Sequence, residues 1–132
     1  MGSRERAFAV LIVEDQALIA LNIEDVVRRI GGGVIGCAAR LSDALTLVET
    51  ASWDAALLNI RLAQGETAYP VAEQLQAKTV PFAFVTGWEA DIDPRYSDVR
   101  VLQKPFTEAE LENCLRTLIG TMPHSSSEQE AA

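Results

Sequence analysis

The sequence predicts a three-layer α/β domain, a doubly wound parallel sheet with helices on both faces. Three observations carry that expectation. Short apolar runs rich in β-branched residues recur along the chain, the pattern of strands covered on both sides. Between them lie stretches whose apolar residues return at helical spacing. Strands and helices alternating at this interval make βαβ units, which are right-handed and leave their strands parallel.

Each element follows in turn. Phe8-Ala-Val-Leu-Ile-Val13 reads as a central strand. From Gln16 to Ile30 the residues Ile19, Ile23, Val26, Val27 and Ile30 form one stripe, and Gly31-Gly-Gly33 stops that helix. Val34 to Ala38 is the second strand. Ser42 stands where it can cap a helix running to about Thr50, with Ala44, Leu45 and Val48 inward. Ala55 to Asn59 is the third strand, followed by a polar loop containing Gly65. The next helix is entered through Tyr69-Pro70, where proline's missing N–H costs nothing in a first turn. Val80 to Thr86 is strand four and Val99 to Gln103 strand five. Between them, Gly87 to Asp98 holds Asp91, Asp93, Pro94 and Ser97 with little apolar period, so a fourth helix is expected to be short or irregular. Thr107-x-x-Glu110 is a capping box, opening a last helix with Leu111, Leu115 and Leu118 inward.

Composition bounds the function. A chain of 132 residues, 48% hydrophobic, suits one compact domain, expected over 7–120. Residues 1–6 read as an N-terminal tag or disordered segment, and 121–132, with Ser125-Ser-Ser-Glu-Gln-Glu-Ala-Ala132, as a disordered tail that buries no apolar surface. The formal charge of −8 argues against nucleic acid or an anionic membrane as partner, since both require a basic surface. Cys37 and Cys114 are too few and too far apart for a zinc site or a disulfide framework, which points to reduced thiols and a cytoplasmic protein. No stretch approaches the roughly 20 apolar residues of a membrane span.

Open parallel sheets place their sites beyond the carboxyl ends of the strands. Strand one ends in Glu14-Asp15, strand three in Asn59, strand four in Thr86-Gly87 and strand five in Lys104-Pro105. Two acids, an amide, a hydroxyl and an ammonium are thus expected on one rim. Asp54 begins the third strand and lies at the opposite end.

With Val-Glu-Asp at 13–15, the strand end at 59, Thr86 and Lys104-Pro105-Phe106, the chain from about Ala7 to Ile119 resembles the CheY-like receiver domains of two-component response regulators. The resemblance implies a flavodoxin-like (βα)5 fold with strand order 2-1-3-4-5. It also implies a bacterial phosphorelay, in which a histidine kinase passes a phosphoryl group to an aspartate at position 59 and the receiver signals by protein contact. Such a receiver is a signalling module rather than an enzyme, although its aspartate form assists its own transfer.

The family's magnesium would be bound directly by Asp15, through water by Glu14, and by position 59 and the Arg61 carbonyl. Asp15 also stands where an acid caps a helix, and the two roles are compatible. Lys104 would pair with phosphoryl oxygens or with the acids, directed by a cis Lys104–Pro105 bond, and Thr86 would donate its hydroxyl to the phosphoryl group. Gly65-Glu66, Tyr69-Pro70-Val71-Ala72 and Phe84-Val-Thr-Gly-Trp88 further resemble the FATGUY subgroup, largely alphaproteobacterial, often single-domain, and commonly served by kinases of the HWE type.

Two residues depart from the pattern. Asn59 is a neutral amide and accepts no phosphoryl group, so this chain should be non-phosphorylatable. Two carboxylates against one ammonium leave the pocket a formal −1, where an aspartate would make it −2, so magnesium should bind more weakly. Val101 offers no ring at a position where many receivers carry a moving aromatic. Tyr96, the segment Gly87 to Asp98 and Trp88 are the candidates for the moving part, Trp88 being equally well placed for simple packing.

The leading expectation is a stand-alone receiver, monomeric or weakly dimeric, that contacts a downstream protein. The alternative is a phosphorylation-independent pseudo-receiver whose partners bind its resting shape. A hydrolase using Glu14 and Asp15 is disfavoured, because that reading lacks a nucleophile and the chain has no glycine-rich phosphate loop after strand one.

Overall fold

A computed structural model describes residues 7–87 and 92–120. The expectations for residues 1–6, the tail 121–132, Trp88 and Asp91 lie outside the described residues. The elements are β1 (Phe8–Val13), α1 (Ala17–Arg29), β2 (Gly32–Ala38), α2 (Leu41–Thr50), β3 (Ala55–Leu58), α3 (Tyr69–Ala77), β4 (Phe82–Thr86), β5 (Arg100–Gln103) and α4 (Glu108–Ile119). All strand pairs are parallel and the order is β2-β1-β3-β4-β5, as the resemblance implied.

The boundaries differ where backbone geometry overrides pattern. β2 starts inside the glycine run, at Gly32, because a side chain there would collide with Val27 of α1 and only glycine permits the approach. β4 starts at Phe82 rather than Val80. Thr79 takes a left-handed φ of 56° and Val80 N–H still bonds the Leu75 carbonyl, so α3's closing turn consumes those residues. β5 begins at Arg100 because Val99 N–H is spent on the Tyr96 carbonyl.

Ser42 is not the cap of α2. Arg40 occupies that position without a capping side chain, and Ser42 lies inside the first turn. The Leu41 N–H is met instead by the Glu66 carboxylate, 3.0 Å away from the β3–α3 loop, which also holds the Arg40 guanidinium at 3.0 Å. A distant carboxylate thus does the work expected of a local hydroxyl. At α4 the local signal is sufficient: Thr107 and Glu110 form both bonds of the capping box.

Between β4 and β5, the only helical element among the described residues is a 3-10 turn at Pro94–Tyr96, started by Asp93, whose carboxylate accepts from Arg95 N–H at 2.9 Å. Tyr96 is nevertheless buried, 3% exposed, so this turn sends a ring into the core. One sheet face packs under α1 and α4, with Val10, Ile12, Leu57, Val85, Leu111 and Leu115 at its centre. The other packs under α2, α3 and the 3-10 turn, around Leu11, Leu58, Val71, Leu75, Phe84 and Tyr96. At the amino end of the sheet, the Asp54 carboxylate accepts from Ala9 N–H at 2.7 Å and Asp54 N–H donates to the Ala9 carbonyl at 2.8 Å. That end is opposite Asn59.

Candidate functional site: the carboxyl rim of β1, β3 and β5

The rim is assembled by adjacency in the sheet. β1 pairs with β3 through Val13 and Leu58, so the residues that follow each strand, Glu14-Asp15 and Asn59, emerge side by side. Asn59 N–H continues the ladder to the Val13 carbonyl at 2.8 Å. From β5, Lys104 N–H bonds the Thr86 carbonyl at 2.9 Å, and the Lys104–Pro105 peptide is cis.

The side chains then converge. The Asn59 Nδ2 donates to the Arg61 carbonyl at 2.9 Å, to Asp15 Oδ1 at 3.0 Å and to Glu14 Oε2 at 3.3 Å. Lys104 Nζ approaches the other Glu14 oxygen, Oε1, to 3.1 Å. Glu14, Asn59 and Thr86 are the buried polar side chains of the described residues, at 5%, 6% and 3% exposed. A buried ion must find partners, and Glu14 has three: Lys104, Asn59 and Gln16 N–H at 3.1 Å on Oε2. The Lys104–Glu14 contact is charge pairing and not a well-aligned hydrogen bond, since Oε1 has no geometrically satisfactory donor. Burial pushes the Glu14 carboxyl above its ordinary range, against the pull of Gln16 N–H and of Lys104.

Asn59 is therefore in contact with Glu14, Asp15 and the Arg61 carbonyl, and Lys104 joins the cluster through Glu14. Thr86 sits buried at the end of β4, tied to this cluster through its carbonyl. One expectation is corrected. Asp15 does not cap α1, whose N-cap position belongs to Gln16 with no side-chain bond. The Asn59 amide turns its nitrogen and not its oxygen toward Glu14, Asp15 and the Arg61 carbonyl, because those acceptors demand donors. As arranged, the site does not fit a divalent cation: the oxygens that would hold one are taken by an amide N–H₂. Among the described residues, no group of three or more histidine, cysteine or acidic side chains could hold a metal.

Sequence reasoning missed Gln16, whose backbone N–H steadies Glu14; the signal is only that it opens α1 directly after the acids. It also missed a cleft of about 430 Å³ beside Lys104, lined by Gln16, Ile19, Asn22, Pro105 and Phe106. No helix of the described residues is long and apolar enough to cross a membrane.

No family model matches the chain. Among solved structures, the chain is 39% identical to SdrG from Sphingomonas melonis Fr1, with a TM-score of 0.76 over 86% of this chain and 97% of that one. It is 27% identical to the receiver domain of the sensor histidine kinase PA1611 from Pseudomonas aeruginosa PAO1, with a TM-score of 0.73 over 87% of this chain and 99% of that one; that structure has a magnesium ion coordinated in its active-site cleft. Among curated proteins, it is 29% identical over 109 residues, 80% of this chain, to the phyllosphere-induced regulator PhyR of Methylorubrum extorquens. The chain spans only 41% of that protein's length. Strand order, the rim at the sheet's carboxyl edge and identity extending over nearly the whole of SdrG lead to one assignment: the chain belongs to the CheY-like receiver domains of response regulators.

Proposed function

We propose that this chain is the receiver of a bacterial two-component phosphorelay, one that signals by protein contact and, as it stands, cannot be phosphorylated. The observation that carries this reading is the position of Asn59, held against Asp15, Glu14 and the Arg61 carbonyl at the site where the family places its nucleophilic carboxylate. An amide has no lone-pair oxygen anion with which to form an acyl phosphate. An aspartate at 59 would supply it, with Lys104 and Thr86 as the groups that receive the phosphoryl oxygens.

The finer features belong to the same proposal: a histidine kinase donor of the HWE type, in keeping with the FATGUY likeness, a cytoplasmic location, a monomeric or weakly dimeric chain, and a downstream protein as the target. The magnesium of the PA1611 receiver is carried over only for the aspartate form, where Glu14, Asp15 and the Arg61 carbonyl are hard oxygen donors of the right chemistry; with Asn59 those oxygens hold the amide instead. The test is Asn59→Asp incubated with magnesium and a small phosphodonor. A base-labile, acid-stable acyl phosphate on Asp at 59 is expected, and its absence overturns the reading.

A second reading is favoured by how completely Asn59 is engaged: a pseudo-receiver whose partner binds this single shape. It expects partner affinity to be the same for the unaltered chain and for Asn59→Asp with phosphodonor present. A clear difference between the two eliminates it.

A further inference from the structure

Three oxygens pointing at one place need something positive there. Glu14 Oε2, Asp15 Oδ1 and the Arg61 carbonyl come from the ends of two strands, and all three face the Asn59 Nδ2, at 3.3, 3.0 and 2.9 Å. An amide nitrogen carries two hydrogens, so one of its three acceptors must share. The longest contact is the one to Glu14 Oε2, the oxygen that also accepts from Gln16 N–H, while Lys104 pairs with the charge at Oε1. The distances thus follow the demand of each oxygen. Turning the amide over would bring its own oxygen against two carboxylates and a carbonyl, a repulsive arrangement, so the orientation is enforced by the surroundings.

We infer that the Asn59 amide is a built-in substitute for the cation: its N–H₂ ties the ends of β1 and β3 together as a divalent ion would, so the rim of this chain stays closed whatever the magnesium concentration. The identity of the displaced cation rests on the receiver reading above; the crosslink itself rests only on the three contacts. Bonds to ionised acceptors are stronger than neutral ones, so an entering ion must first strip the amide of well-made partners. An aspartate at the same place reverses the situation, because a third carboxylate would then face the other two with no donor among them. Magnesium-dependent stability should therefore be absent from this chain and created by a single substitution.

The experiment compares the full chain, Asn59→Asp and Asn59→Ala by thermal unfolding, first in chelator and then with increasing magnesium at matched ionic strength. The unaltered chain is expected to show the highest Tm in chelator and no saturable shift on adding magnesium. Its Asn59 side-chain N–H₂ resonances should stay in place as magnesium is added. Asn59→Asp should melt lower in chelator and recover saturably with magnesium. Asn59→Ala, which removes the donor without adding charge, should also melt lower and respond to magnesium, and so keeps the test open if the aspartate form does not fold without metal. A saturable magnesium-induced rise in the unaltered chain equal to that of Asn59→Asp overturns the inference, as does an Asn59→Ala chain as stable in chelator as the parent. If Asn59→Asp takes up phosphoryl while the unaltered chain responds to magnesium, this inference fails and the receiver reading survives. If the magnesium responses are as expected but no acyl phosphate forms, the reverse holds.

Discussion

The two faces of the sheet are filled by different chemistry. Under α1 and α4 the buried side chains of the described residues are aliphatic apart from the Cys114 thiol. Under α2, α3 and the 3-10 turn lie the buried rings Trp53, Phe82, Phe84 and Tyr96. Tyr69 of α3 stacks on Tyr96 with centroids 5.5 Å apart and planes 6° from parallel, while Phe84 meets Tyr96 edge-on at 5.7 Å and 86°. The Tyr69 hydroxyl reaches the incoming segment as well, accepting from Asp93 N–H at 2.8 Å. Where helices lie over a sheet, branched aliphatic ridges close the gap. Around the Pro94–Tyr96 turn, large flat rings pack on one another and on the sheet. The two faces therefore differ in what meets the sheet, rings gathered on Tyr96 on one and aliphatic side chains on the other.

The largest test of this contrast pairs one deletion from each face. Phe84→Ala should cost about 3–5 kcal/mol and Leu115→Ala about 2–5 kcal/mol, both in urea unfolding. Both side chains are fully buried, so size alone predicts similar losses. Because the rings gather on Tyr96, Phe84→Ala alone should also accelerate exchange of the amides near Tyr96; equal acceleration on α4 in that variant would erase the distinction. A smaller effect comes from Tyr69→Phe, which keeps the stack and removes the acceptor for Asp93 N–H, at a cost of about 1 kcal/mol. Faster hydrogen exchange at Asp93, with α1 amides unmoved, is the expected result.

The smallest effect is chemical and lies on the aliphatic side. The Cys37 thiol donates to Glu24 of α1 at 2.8 Å, and burial together with that carboxylate pushes its pKa up to about 12. Although Cys37 is an exposed residue, its thiolate fraction at pH 8 should be minute, so alkylation should be slower than for a free thiol, and Glu24→Gln should speed it up. Rapid labelling of the unaltered protein at pH 8 would show that the α1 side does not shield its edge as the packing indicates.

Much of this was legible in the sequence. Continuous apolar runs located the five strands and helical period the inward stripe of α1, because burial on two faces leaves a strand little freedom of composition. The capping box of α4 was legible because both partners sit within one turn. The cap of α2 was not: Glu66 is far along the chain, and no local pattern announces that its carboxylate will find Leu41 N–H. Tyr96 was similarly hidden, since a ring among Asp93, Pro94, Arg95 and Ser97 reads as loop until the neighbouring rings are seen around it. At the rim, the identities and the convergence of Glu14, Asp15, Asn59 and Lys104 followed from strand ends. The direction of the Asn59 amide did not, because it depends on which neighbours accept hydrogen bonds.

Asp54 and Asn59 mark the two ends of β3, and each is stitched to β1 by backbone bonds, Asp54 to Ala9 and Asn59 to Val13. Side chains along a strand alternate, so sliding β3 by one residue would trade Leu57 for Leu58 across the sheet and undo both stitches together. The strand therefore behaves as a ruler stopped at both tips. Whatever residue stands at 59 is delivered to the same address by main-chain geometry, leaving evolution or an experimenter free to exchange its functional group without rebuilding the frame that presents it.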